Sequence, residues 1–307
     1  MTINRIVSFL PSATELIYAL DAQDRLFGVT HECDFPKDAS KKPNVIESVF
    51  EPKKMSSKEI DDKVLDLISN NQDIYELQIE NLKNASPDLI ISQEICEVCS
   101  AYTNQVDHAM KILDKKPELF IMNPHNIEGI LSNVSEISKK IGAREKGTKL
   151  VNSLKKRIKY FNEKQISTKP KVLAIEWIEP FYTSGHWVPE MVELVGGENL
   201  ISKKSEHSRK MSFGEIKDSD PDIIIMMPCG FDVQRTVMEY NKNLKNNMEW
   251  KSLRAVIQKN VFAVDANSFF SKPSIRTITG IEILAKIIHP DKFYDMKIPN
   301  ESFRKIN

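Results

Sequence analysis

The stretch SPDLIISQEICEVC, residues 86–99, decides the fold, and DPDIIIMMPCG, residues 220–230, repeats it. Each opens on Pro-Asp, continues as a run of mostly branched apolar residues, and then reaches a cysteine. A short apolar run without alternation is the pattern of a parallel strand covered on both faces. The cysteine then falls past the strand's carboxyl end, where open α/β sheets collect their ligands. The repeat predicts two similar lobes facing each other across a cleft.

Working outward, residues 6–10, 25–30, 119–122, 171–177 and 261–264 read as further strands. Residues 15–20, 56–70, 101–113, 188–195 and 275–288 read as helices; in 56–70 the apolar Ile60, Val64, Leu65 and Ile68 keep helical spacing. Ser12 with Glu15 three residues on fits a capping box for the first helix. From residue 127 to about 164 the pattern is helical throughout, with Gly142 as the break. Alternating strands and helices on both sides of it make the class α/β. The expected architecture is two similar lobes with mainly parallel sheets, 1–125 and 167–307, bridged over 126–166 by a long rigid helix.

Composition excludes several functions. With 43 basic and 43 acidic residues in 307, the chain has no electrostatic footprint for nucleic acid or an anionic membrane. No run approaches the ~20 apolar residues of a membrane span. The opening MTINRIVSFLPSATELIYAL lacks the signal-peptide pattern, so the expectation is a cytoplasmic protein, or an extracytoplasmic one if a leader precedes it. There is no Walker-type phosphate loop, no Gly-x-Ser-x-Gly elbow and no His-Glu-x-x-His, and Gly28 and Gly185 stand alone. A binding protein is expected before an enzyme.

The cysteines are Cys33, Cys96, Cys99 and Cys229, and each follows a predicted strand. Cys96-Glu97-Val98-Cys99 has the spacing of a two-thiolate half-site, and the full set of four suits zinc or an iron–sulfur cluster. The alternatives are incidental loop thiols or a redox pair, the latter disfavoured by the acidic neighbours Glu94 and Glu97.

The opening RIVSFLPSATELIYALDAQDRLFGVTHECDFP, residues 5–36, resembles the cobalamin-binding members of the class III, helix-linked ABC substrate-binding proteins. So do WIEPFYTSGHWVPEMVELVGGENLI (177–201) and SKPSIRTITGIEILAKIIHP (271–290), and the resemblance spans about residues 5–290. HECD (31–34), CEVC (96–99) and PCGF (228–231) look like one subgroup of them. The resemblance implies a shallow cleft holding cobalamin, a related corrinoid or another small-molecule metal chelate, with an ABC permease as partner and little closure on binding. That fold also hosts binders of iron–siderophores, haem and bare metal ions. The candidate ligand residues are His31, Glu32, Trp177, Tyr182, His186, Trp187, Phe231 and Phe269, with Phe270, Arg235 and Arg276 as further candidates; the resemblance puts the cleft aromatic residues of the family in the loop of His186. Aromatic faces suit a macrocycle, His31 could ligate cobalt, and Trp187 alternatively starts the core face of its helix. His108, His125, His207 and His289 read as ordinary surface or capping residues. The competing reading is a cytoplasmic metalloprotein, redox or enzymatic, whose four cysteines hold zinc or an iron–sulfur cluster.

Overall fold

A computed structural model describes residues 2–94 and 101–306, the side chains of 101–103 aside. The chain divides into two α/β units. The first comprises residues up to 55, 62–124 and 128–154; the second comprises 56–61, 125–127 and 155 onward.

The N-terminal unit carries strands β1 (Ile6–Ser8), β2 (Leu26–Thr30), β3 (Asn44–Ser48), β4 (Tyr75–Leu77), β5 (Leu89–Gln93) and β6 (Glu118–Met122), in the order β4-β3-β2-β1-β5-β6. All neighbours are parallel except β3 and β4. The C-terminal unit carries β7 (Lys171–Trp177), β8 (Tyr182–Thr183), β9 (Glu198–Asn199), β10 (Ile223–Met226), β11 (Val261–Val264) and β12 (Phe303–Ile306), in the order β12-β11-β10-β7-β8, with β9 also on β7. Its centre, β11-β10-β7, is parallel, and β12 and β8 close it antiparallel.

The first half of the chain writes helices α1 (Pro11–Ala19), α2 (Ser57–Ser69), α3 (Ile79–Ala85), α4 (Ala101–Ile112), α5 (Ile127–Lys140) and α6 (Arg144–Asn162). The second writes α7 (Val188–Leu194), α8 (Phe213–Ser219), α9 (Val233–Asn243), α10 (Met248–Lys251), α11 (Arg254–Ile257), α12 (Ala266–Phe269) and α13 (Thr277–Ile288). Gly142, at φ +72°, breaks α5 from α6 as the sequence predicts, because the left-handed residue that ends a helix costs least as glycine.

The Pro-Asp repeat is a repeat of structure. In each copy the residue before the proline, Ser86 or Asp220, caps the preceding helix in left-handed backbone (φ 40° and 43°). In each, the aspartate stitches its strand to the parallel neighbour. Asp88 donates its N–H to Arg5 O (2.8 Å), and its carboxylate accepts from Asn4 N and Arg5 N. Asp222 donates its N–H to Lys171 O (2.9 Å), and its carboxylate accepts from Lys171 N (2.8 Å). A cation braces each from outside: Lys115 on Asp88 and Arg254 on Asp222. The Lys115 hydrogen bond is the largest of the contacts that hold the Asp88 carboxyl below the usual range. The stitches fix β5 against β1 and β10 against β7, so Leu89 faces Ile6 and Ile223 faces Val172.

Beyond each stitch both faces are packed. Ile90 with Val7, Phe9 and Ala109 belongs to the core of the N-terminal unit. Ile224 with Leu173, Tyr240 and Trp250 belongs to that of the C-terminal unit.

One sequence expectation is corrected, and three strands go unread in the sequence. The capping box at Ser12 and Glu15 does not form. Pro11 takes the first helical position and Leu10 is the N-cap, so Ser12 lies inside the first turn with its hydroxyl buried. The capping box belongs instead to α8, between Ser212 and Glu215. Strands β3, β4 and β12 escape the apolar-run criterion because they are short, partly exposed and polar, as edge-side strands tend to be.

All three tryptophans, Trp177, Trp187 and Trp250, lie in the C-terminal unit, so tryptophan fluorescence reports its unfolding alone. Asp222→Ala leaves Lys171 N without its side-chain acceptor and should destabilise this unit by about 1–3 kcal/mol. An unchanged urea midpoint by tryptophan emission would show that the stitch is not needed.

Candidate functional site

In the C-terminal sheet the strand order turns at β7: the chain leaves it towards β8 and β9 on one side and returns as β10 on the other. Such a switch point opens a crevice at the carboxyl ends of its two strands. Here those ends are Glu176-Trp177 and the loop from Met227 to Phe231. Met227 N donates to Ile175 O and Cys229 N to Glu176 O, which carries the pairing past the strand. Gly185 N donates to Glu176 Oε1 (3.2 Å), drawing the loop after β8 to the same point.

Trp177 is half-buried, with its indole edge-on to Phe231 at 5.3 Å and its Nε1–H donating to Ser57 O at 3.1 Å. Ser57 is fixed in turn by Glu239, whose Oε1 accepts from both its N–H (2.8 Å) and its hydroxyl (2.6 Å). Phe231 is buried beneath, and the Arg235 guanidinium lies over its ring at 3.7 Å. Burial depresses the Arg235 pKa, against the pull of Glu239 and Asp232. The next loop joins through Asn267 N to Phe231 O and Gly230 N to Ser271 Oγ. Phe269 is buried there with Arg276 over its ring at 4.8 Å. Tyr182, half-buried, meets Asp61 through its hydroxyl (3.4 Å); burial and that carboxylate raise the phenol's pKa.

Trp187 is 4% exposed and donates Nε1–H to Phe270 O, so its ring serves the packing at the start of α7. Phe270 is buried as well. A hollow of about 550 Å³ in this unit is lined by Lys286 and residues 294–303, none of them at these strand ends.

His186 brings in two residues the sequence left as ordinary. Its ring centre lies 4.9 Å from that of His207 and 5.6 Å from that of His125, and those two are 5.5 Å apart. The segment 125–127 packs with this unit, where Ile127 N donates to Glu190 Oε2. His186 stands in left-handed backbone, φ 54°. Its N–H donates to Glu206 O (2.7 Å) and its carbonyl accepts from Ser205 N (2.9 Å). Those bonds seat the loop that bears His207. Nδ1 of His125 and Nδ1 of His186 are buried with no hydrogen-bond partner. Burial, then the neighbouring His207 and His125, push the His186 pKa down to about 4. The sequence signal was thin: each histidine sits in a loop, and 61 and 21 residues separate them along the chain (186 − 125 and 207 − 186).

In the N-terminal unit, His31 is half-buried past the end of β2, with Nδ1 3.2 Å from Ile46 O, and Glu32 is exposed. The buried Cys33 sulfur lies 3.1 Å from Thr14 Oγ1 and 3.5 Å from Thr30 Oγ1. Cys229 is exposed in the C-terminal unit. Cys96 and Cys99 lie outside the described residues.

Comparison with known proteins bears on this arrangement. A family model described as "Periplasmic binding protein" matches residues 6–268. The ABC transporter substrate-binding lipoprotein YvrC of Bacillus subtilis is 24% identical over 297 residues, covering 94% of this chain and 81% of its own. The vitamin B12-binding protein of Vibrio campbellii is 23% identical over 282 residues, covering 90% of this chain and 86% of its own. The structure of a periplasmic heme binding protein from Pseudomonas aeruginosa superposes with a TM-score of 0.69 at 15% identity, over 94% of both chains. The two-lobed, mainly parallel α/β class expected from the sequence is thereby borne out. Among the described residues no helix is long and apolar enough to cross a membrane.

His186 titrates low when folded and near 6.5 when unfolded, so between these values the unfolded chain binds more protons. Stability of the C-terminal unit should therefore fall as pH drops from about 6.5 to 4 and level off below. The loss should be of the order of 2 kcal/mol, allowing for solvent screening of a partly exposed ring. Urea melts followed by tryptophan emission in chelator-containing buffer should show this slope, and His186→Gln should flatten it. An equal slope in the variant would remove His186 as its source.

Proposed function

We propose that this chain, which belongs to the periplasmic binding protein family, binds a corrinoid or another macrocyclic metal chelate and presents it to an ABC permease. The observation that carries this reading is the Trp177 indole at the switch point. It is partly exposed, held by Ser57 O through Nε1–H and braced by Phe231. A rigid aromatic face fixed at a strand end offers large apolar contact at small entropic cost, which is what a flat macrocycle needs. Tyr182 adds a second partly exposed ring. Arg235 and Arg276, each parked over a phenyl ring, suit the carboxylate or amide arms of such a ligand. His31 and Glu32 follow the carboxyl end of β2 in the N-terminal unit.

The relatives support the ligand class: one is a vitamin B12-binding protein, and a heme binding protein shares the fold. The corrinoid is the first choice because the similarity to the vitamin B12-binding protein runs through the sequence of most of the chain.

Aquocobalamin and haemin, titrated separately, should quench tryptophan emission at a 1:1 ratio, the preferred ligand with a Kd near or below about 1 µM. Trp177→Ala should weaken that ligand at least about tenfold, equivalent to ~1.4 kcal/mol. A folded protein that binds neither macrocycle at about 100 µM would end the reading. Binding unaffected by Trp177→Ala would move the site elsewhere.

A further inference from the structure

Three imidazoles from separate loops of the C-terminal unit gather at one place: His125 before α5, His186 before α7 and His207 in the loop after β9. Their ring centres are 4.9, 5.5 and 5.6 Å apart. Nitrogen ligands lie about 2.1 Å from a zinc-like ion, so three imidazoles around one tetrahedral centre have ring centres roughly 5 Å apart. The spacing here is that of a three-histidine coordination sphere.

A packed core does not explain the cluster. Nδ1 of His125 and Nδ1 of His186 are buried and make no hydrogen bond, although a buried imidazole nitrogen ordinarily finds a partner. His186 also holds a left-handed backbone that a side chain rarely adopts. Gly185 before it cannot carry a side chain, because a Cβ would stand 2.5 Å from Ser208 N. The chain thus brings the loop at Gly185 close against the loop of His207, at some conformational cost. His207 lies on the exposed side, which leaves a position for water or another ligand.

We propose that His125, His186 and His207 form a binding site for one divalent transition-metal ion of borderline softness: zinc, cobalt(II) or nickel(II). As the rings stand, no three His, Cys, Asp or Glu side chains among the described residues are set to close on an ion. The torsion that aims an imidazole about Cβ–Cγ is broad and roughly two-fold. Loading the site therefore requires the rings to turn about that torsion so that one nitrogen of each faces the ion. All-imidazole donors favour these ions over magnesium or calcium, which take oxygen. The site uses none of the cysteines and does not depend on which macrocycle the protein binds.

The test is a titration of the full chain with Co(II) alone near neutral pH. Nitrogen ligation gives visible d–d bands, whereas cysteine ligation adds near-ultraviolet thiolate charge transfer. The expected result is one Co(II) per chain, d–d bands without thiolate charge transfer, and a rise in thermal stability on metal addition. His207→Gln, at an exposed position that should not disturb folding, is expected to weaken Co(II) at least tenfold. The variant with all three histidines replaced by Gln is expected to lose the signal. Absence of d–d bands at about millimolar Co(II), thiolate bands alone, or undiminished binding in the triple variant would each overturn the site. Haemin and aquocobalamin titrated into the same variants report the macrocycle separately, so failure of one reading is not mistaken for failure of the other.

Discussion

A parallel strand cannot be set in register by a tight turn, because its neighbour arrives only after a long crossover. In both units the register of the central pair rests on one aspartate at the start of the strand. Asp88 and Asp222 each bind the backbone of the adjacent strand through main chain and carboxylate together. The carboxyl ends of β1 and β5, and of β7 and β10, then finish side by side. In the C-terminal unit Trp177 and Phe231 descend from that placement. Trp177 ends β7, and the Cys229–Phe231 loop continues from β10 and is tied to Glu176.

The rim of the C-terminal sheet separates its aromatic side chains by task. Phe231, Phe269 and Trp187 are buried and support others: two carry arginines, and the third hydrogen bonds to Phe270 O. Trp177 and Tyr182 keep part of their rings accessible while hydrogen bonds hold their polar tips. An aromatic residue in a post-strand loop is therefore not by itself a ligand contact. Whether it faces outward depends on what the following helix needs for its own packing. At the N-cap of α7, Trp187 is held inward by its bond to Phe270 O.

Much of the fold was legible in the sequence. Strands β5, β7, β10 and β11 are apolar runs buried over most or all of their length, and Gly142 marks a real helix break. The edge-side strands were not, since they gain their partner from a sheet edge and carry little apolar signal of their own. The site was legible in part. His186 stood out because it follows Gly185 and precedes Trp187, but His125 and His207 gave no sign of belonging with it. Nothing in Asn-Pro-His or Glu-His-Ser states that two loops will be brought against a third.

The sequence by itself determined the α/β class, the repeat that builds two units around equivalent parallel pairs, and the resemblance that directs attention to the strand ends. These are local and periodic properties: an apolar run wants burial on both faces wherever it lies, and a Pro-Asp start fixes its own backbone. Only the tertiary structure decided which side chains at those ends turn outward and which histidines meet. Such meetings depend on crossovers and backbone pairings between distant loops, such as His186 N–H to Glu206 O, whose partners are set by packing of the whole unit and not by any neighbouring residue.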